Sequence, residues 1–285
     1  MKTSIAATIA VLLAFSFGSV ANAQTGVAQV SGGKLAYEVC GTGEKTLILM
    51  HDGVVDSSVW DGVWPTLCKE FRVIRYDRRG YGRSPLATDW YSETNDLSSL
   101  MQQTKTKHAI LVASSHGGGV ALDFAIQHPQ AVDQLILVGA EVSGLNHSQH
   151  FTSRGIAMST PMFSNDIAGF VNNVVADRYL LAANHAEAQT RHRAILTKFP
   201  PNPARFNYIT PPRPALQLAS GIQLPTLLLV GDADIADVHA QAGALEAAIP
   251  RATRVVLKDC GHLMYLEHPE AFCATIRDFI ATNSL

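Results

Sequence analysis

The 285-residue sequence predicts an α/β fold, a mostly parallel sheet covered by helices, and three observations lead there. Short apolar runs bounded by turn residues recur along the chain. Several alternate with stretches whose apolar residues fall at helical spacing, the pattern of parallel strands joined by crossover helices. One long stretch, 143–220, breaks that rhythm without a convincing strand and reads as a helical insertion over the sheet.

At the N-terminus, Lys2, an apolar run from Ile5 to Phe17 and the small-residue end Ala21-Asn22-Ala23 have the anatomy of a secretory signal peptide. The run is too short to cross a bilayer comfortably, so the expectation is cleavage before Gln24, no stable membrane insertion afterwards, and a periplasmic or secreted protein. Apolar runs at 35–39, 46–50, 72–76, 109–113, 134–138, 226–230 and 254–257 then read as strands. Helices are expected at 60–70, 96–103, 117–127, 238–248 and 269–281, the last two by the clearest apolar periodicity. Pro200, Pro201, Pro203, Pro211, Pro212 and Pro214 would stiffen the return path of the insertion.

About 260 residues remain after the leader, enough for one large α/β domain or two small ones. Lys and Arg total 22 against 24 acidic residues, so no strong field invites nucleic acid or anionic lipid. Cys40, Cys68, Cys260 and Cys273 follow no metal-binding spacing and could form two disulfides in any of three connectivities, or stay reduced.

The chemistry concentrates where the strand 109–113 runs into Ser114-Ser115-His116-Gly117-Gly118-Gly119 and then a helical pattern. A serine on so tight a strand-to-helix turn is a nucleophile elbow, which needs small residues two before and two after; Ala113 and Gly117 comply. The helix starting there directs unpaired N–H groups and the positive end of its dipole toward the Ser115 oxygen. Partners follow later strands: Gly231-Asp232-Ala233-Asp234 after 226–230, and Cys260-Gly261-His262 after 254–257. Nucleophile, acid, then histidine is the order of one hydrolase architecture and of neither the chymotrypsin nor the subtilisin type.

Five features in this order resemble the α/β-hydrolase superfamily from about Gly33 onward: His51 closing a strand, Asp77-Arg78-Arg79-Gly80-Tyr81-Gly82-Arg83-Ser84, the elbow, Gly231 to Asp234, and Gly261-His262 followed by Glu267-His268-Pro269-Glu270. The resemblance implies an eight-stranded, mostly parallel sheet with a cap between the sixth and seventh strands. The domain reading is therefore a signal peptide at 1–23, a core at 24–142 and 221–285, and a cap at 143–220. It also implies Ser115 as nucleophile, His262 as base and Asp234 as acid, with Asp232 and Glu141 as rivals for the last role. Gly53 and His116 would supply the backbone N–H groups of the oxyanion hole.

Where relatives more often have His-Gly, this chain has His51-Asp52-Gly53, which sets a carboxylate beside developing negative charge. The expectation is that Asp52 turns away, toward Arg79 or Arg83. Met158, Met162 and Phe163, with Phe151, Phe170 and Tyr179, are candidates to line a substrate pocket or to form the insertion's own core.

No glycine-rich phosphate loop is present, so no nucleotide cofactor is expected, and His147 and His150, three apart without a partner, point to no metal. The function read from the sequence is cofactor-independent hydrolysis of a small or medium carboxylic ester. Lactone, amide, peptide or carbon–carbon cleavage by the same triad is the first alternative, and a non-catalytic binding protein the second.

Overall fold

A computed structural model describes residues 23–283; the leader reading therefore lies outside the described residues apart from Ala23. Eight strands form one sheet: β1 (Gln24–Val30), β2 (Gly33–Cys40), β3 (Thr46–Met50), β4 (Arg72–Tyr76), β5 (Ala109–Ser114), β6 (Val132–Val138), β7 (Thr226–Gly231) and β8 (Ala252–Leu257). Their order is β1-β2-β4-β3-β5-β6-β7-β8. β2 pairs antiparallel with β1 and β4, and every pairing from β4 to β8 is parallel.

The central strands are continuous apolar runs because both faces of the sheet are covered. Alternate side chains divide between two cores. Leu47, Leu49, Val73, Val112, Ile136 and Leu229 pack on one face with Trp60, Tyr265 and Phe272. Ile48, Met50, Ile74, Leu111, Leu135 and Leu228 pack on the other with Leu97, Leu100 and Phe124.

The first face is covered by a short α1 (Trp64–Leu67) and by α9 (Met264–Glu267) and α10 (Pro269–Thr282); the second by α2 (Glu93–Gln103) and α3 (His116–Gln127). The helix expected over 60–70 is broken into a 3-10 turn at Ser57–Trp60 and the four-residue α1, where Pro65 occupies the first turn and can donate no hydrogen bond. β1 has no counterpart among the seven apolar runs: it is an edge strand with only Ala28 and Val30 buried, so it lacks an apolar signature.

Between β6 and β7 the chain forms α4 (Gln149–Phe163), α5 (Ile167–Val175), α6 (Ala186–Lys198) and α7 (Ala215–Leu218), with no strand; α8 (Ala236–Ala248) follows β7. Cys40 and Cys68 form a disulfide joining the end of β2 to the end of α1, and Cys260 and Cys273 are buried thiols.

Candidate active site

Parallel strands deliver their C-terminal ends to one edge of the sheet, and the sequence-predicted residues meet there. Ser115, between β5 and α3, has φ +50° and ψ −119°, a conformation that costs a non-glycine residue on the order of 1–3 kcal/mol. The surroundings enforce it: the Ser115 N–H donates to the Val138 carbonyl at 2.9 Å, and its own carbonyl accepts from the N–H of Gly119 and of Glu141. At Gly117 a Cβ would sit 2.5 Å from the His51 carbonyl oxygen, so only glycine lets the helix start this close to the neighbouring loop. Ser114 is fully buried, its hydroxyl 3.1 Å from that of Tyr265.

After β7, Asp234 accepts the Ile235 N–H on Oδ1 and holds His262 Nδ1 at 2.7 Å on Oδ2. Burial disfavours the charged His262 ring, but the Asp234 carboxylate and its hydrogen bond outweigh burial and raise the pKa. Asp232 serves the turn, accepting the Cys260 N–H at 3.2 Å, and Glu141 faces His116 and His147 at 3.6 and 3.4 Å. Neither rival carboxylate is paired with His262 among the described residues.

Ser115, Asp234 and His262 line one cavity of about 260 Å³ together with Gly53, His116, Gly139, Phe151, Arg154 and Met158. A neighbouring cavity of about 290 Å³ shares His116 and Glu141 but not Ser115 or His262. Of the predicted pocket residues, Met158 and Phe151 reach the Ser115 cavity. Met162 packs against the core without reaching the cavity, and Phe163 is 78 % exposed at the end of α4, so neither is in the lining. Phe170 is likewise core, and Tyr179 packs beside Val230 and Ile235.

Asp52 departs from expectation. It does not reach Arg79 or Arg83, because Arg79 is taken by Asp96 and Arg83 by Asp77 and Glu38. Its Oδ1 accepts the N–H groups of Val54 and Val55 at 2.6 and 3.1 Å, and its Oδ2 accepts the Tyr265 hydroxyl at 3.2 Å. Oδ1 thus ties the loop into a turn, while Oδ2 fastens that loop to Tyr265.

That loop is gripped from behind. The Asp52 carbonyl accepts from Arg78 Nη2 at 2.6 Å and His51 Nδ1 at 2.8 Å, while His51 Nε2 accepts the Arg78 N–H. Burial, then the Arg78 charge, push the His51 pKa down to about 4, so this ring stays neutral. The next carbonyl, that of Gly53, accepts from the Tyr81 hydroxyl and from Arg205 Nη2 at 3.0 and 2.9 Å.

Arg78 also pairs with Glu93 at 2.8 Å, and Glu93 pairs with His116 Nε2 at 2.9 Å. Burial opposes charge on both, yet Arg78 and His116 drive Glu93 down to about 2, and Glu93 leads in raising His116 to about 9. Glu93 thus favours the charged form of the His116 ring, which lies between Glu93 and Glu141.

Arg78, Glu93 and Gly139 escaped the sequence reading. Arg78 lies within a quoted motif that assigns it no partner, and Glu93 reaches the site through folding alone. Gly139 has φ +52°, and a Cβ there would lie 2.8 Å from His262 Cε1. Among the described residues, the His, Cys, Asp and Glu side chains close enough to share an ion are His185, Asp259 and His268, outside this cavity.

Similarity to known proteins follows the same span. The chain is 29 % identical over 270 residues to a pimeloyl-acyl-carrier-protein methyl ester esterase of Edwardsiella ictaluri, covering 88 % of this chain and 99 % of that one. It is 28 % identical over 250 residues to a 2-hydroxymuconate semialdehyde hydrolase of a Pseudomonas species, covering 82 % and 86 %. A thermophilic esterase from Thermogutta terrifontis, solved with malate bound, superposes with a TM-score of 0.78 at 25 % identity over 92 % of this chain and all of that one. Residues 46–269, from the start of β3 to the first residue of α10, match the family model described as alpha/beta hydrolase fold, and the chain belongs to that family.

Proposed function

We propose that the protein is an exported serine hydrolase that cleaves a carboxylic ester of a small or medium substrate through an acyl-enzyme. The observation that carries this reading is the Asp234–His262 pair, 2.7 Å apart, in one cavity with the positive-φ Ser115. Two of the relatives it resembles are esterases, and a cavity of about 260 Å³ suits a compact acyl or alcohol group.

In this mechanism the Ser115 Oγ attacks the ester carbonyl carbon while His262 Nε2 takes its proton. Asp234 keeps the Nδ1–H of His262 in place and stabilises the imidazolium. The tetrahedral oxyanion is held by the N–H groups of Gly53 and His116, two residues that line the same cavity, a Cβ built on Gly53 lying 3.6 Å from that of His116. Collapse breaks the bond to the alkoxide, which leaves with the proton from His262; a water deprotonated by His262 then attacks the acyl-enzyme and Ser115 is restored. Residues 143–220 act as a cap whose Phe151, Arg154 and Met158 complete the cavity.

Reaction with a fluorophosphonate probe, abolished by Ser115→Ala, tests the nucleophile, and a panel of p-nitrophenyl esters of rising chain length tests the substrate class. Absence of labelling in the intact protein overturns the reading. Similarity to a 2-hydroxymuconate semialdehyde hydrolase supports a second reading, carbon–carbon hydrolysis by the same residues. A higher kcat/KM for a vinylogous diketone than for any ester would favour it.

Export is supported by the Cys40–Cys68 bridge, since disulfides persist in oxidising compartments. Mass spectrometry of the protein recovered outside the cytoplasm should give a chain starting at Gln24; a mature chain retaining Met1 in the cytoplasm would refute it.

A further inference from the structure

Three side chains outside the reaction cavity converge from three parts of the chain. His185 precedes α6, Asp259 follows β8, and His268 stands between α9 and α10; one ligand-type atom of each lies within 4.8 Å of the others. Both imidazoles aim Nε2 at the same acceptor, the Asp259 carbonyl, at 2.8 Å for His185 and 3.2 Å for His268. The rings meet edge to face with centroids 4.8 Å apart, and His185 Nε2 is 3.8 Å from the Asp259 carboxylate.

We infer that His185, Asp259 and His268 form a site for a divalent metal ion, with Zn²⁺ as the ion its donors suit. Two imidazole nitrogens and one carboxylate oxygen are a zinc donor set, and the solvent side leaves a fourth position for water. Ligand atoms around tetrahedral zinc stand about 3.3 Å apart for bonds of about 2.0 Å, so the side chains must draw in from separations of up to 4.8 Å, the ion replacing the imidazole hydrogen bonds to the Asp259 carbonyl. Asp259 is 65 % exposed and therefore free to make that movement.

Local electrostatics favour a cation. Asp259 and the fully buried Glu267 carboxylate, 3.9 Å from His185 Nε2, bring two negative charges. Among the described residues no lysine or arginine pairs with either, and the groups facing them are the imidazoles. Glu267 is already engaged by the N–H groups of Ala182 and Gly261, so it acts as a charge behind the ligands. Asp259 holds φ +55°, and its carbonyl faces both rings.

The position gives the ion a task. His262 and Leu263 donate their N–H groups to the carbonyls of Tyr179 and Leu180, so the loop carrying His262 is already stitched to the segment between α5 and α6. An ion held by His185 on that segment and by Asp259 and His268 on the loop's two flanks would clamp the same junction. The site is separate from the Ser115 cavity, and the inference stands whether or not the chain is an esterase.

The test is isothermal titration of the chelator-treated full mature chain with Zn²⁺, paired with thermal melts with and without the ion. Saturable binding with one ion per chain and a raised Tm are expected, and both should be lost in His268→Ala and in His185→Ala. Asp259→Asn, which tolerates a positive φ, should keep the wild-type Tm in chelator while binding Zn²⁺ at least about tenfold more weakly. No binding by the wild type, or equal binding by all three variants, overturns the site.

Discussion

Arg78 Nη2 donates to the carbonyl oxygen of Asp52 at 2.6 Å, and that carbonyl shares its peptide unit with the N–H of Gly53. In a trans peptide the C=O and N–H point in opposite directions, so a guanidinium fixed on one side aims and polarises the donor on the other. Glu93 continues the connection to His116, so both proposed oxyanion donors are braced by one buried chain of charges. The geometry makes Arg78 a positioning residue. Arg78→Gln should lower kcat by about 10²-fold, the loss typical of an oxyanion donor, while KM changes little. Arg78→Lys should recover part of that loss. Steady-state kinetics beside a thermal melt check it; equal falls in kcat and in folded fraction would assign Arg78 to stability alone.

Asp234 and Glu141 make opposite predictions. Asp234 is bonded to His262, whereas Glu141 is spent on His116 and His147. Asp234→Asn keeps the shape but favours the wrong imidazole tautomer, so kcat should fall by about 10⁴-fold. Glu141→Gln should retain most of the activity. A reversal of these two results would move the acid to the end of β6.

Gly139 tests how tightly the imidazole is held. With φ +52° and 2.8 Å between a built Cβ and His262 Cε1, Gly139→Ala strains the backbone and pushes the ring off line. A displacement of about 1 Å costs on the order of 10²-fold in rate. Turnover should drop by that factor while fluorophosphonate labelling slows in parallel; unchanged kinetics would mean the ring has room.

These contrasts also mark what was legible in the sequence. Strands such as Thr46–Met50 and Thr226–Gly231 were readable because buried parallel strands are nearly uninterrupted apolar runs flanked by turns. β1 was not, since an edge strand with two buried side chains leaves no such mark. Ser115 and His262 were readable because glycines and chain order constrain them locally. Neither the Arg78–Glu93 pair, 15 positions apart, nor the Asp52–Tyr265 contact, 213 apart, leaves a local pattern in the sequence. The misplacement of Phe163 has the same origin: aromatic residues of the insertion looked equivalent until the rotation of α4 chose Phe151 and Met158 for the cavity.

pH separates catalysis from stability. In the proposed mechanism His262 must be neutral to take the Ser115 proton, and burial notwithstanding, Asp234 raises its pKa above the ordinary 6.5. The acid limb of kcat/KM should therefore have its midpoint above pH 6.5. For stability the sign is opposite. His116, raised to about 9, stabilises the fold fully below pH 6.5, and this contribution disappears as pH climbs through about 9. Relative to His116→Asn, the wild type should lose on the order of 2–3 kcal/mol of advantage across that window, read by urea denaturation at each pH. A gap that widened with pH would contradict the charged assignment.

The Cys40–Cys68 bridge closes a loop with a sequence separation of 28 across β3, so its removal should act mainly through the unfolded chain. A loop of that length corresponds to roughly 3–4 kcal/mol of chain entropy. Cys40→Ala with Cys68→Ala should lower unfolding stability by about that amount while kcat of the folded fraction is kept, because neither cysteine lines the reaction cavity. Wild-type protein unfolded in reductant should match the double variant. If reduction changed nothing, the bridge would not be formed in the mature protein, and the support it lends to export would go with it.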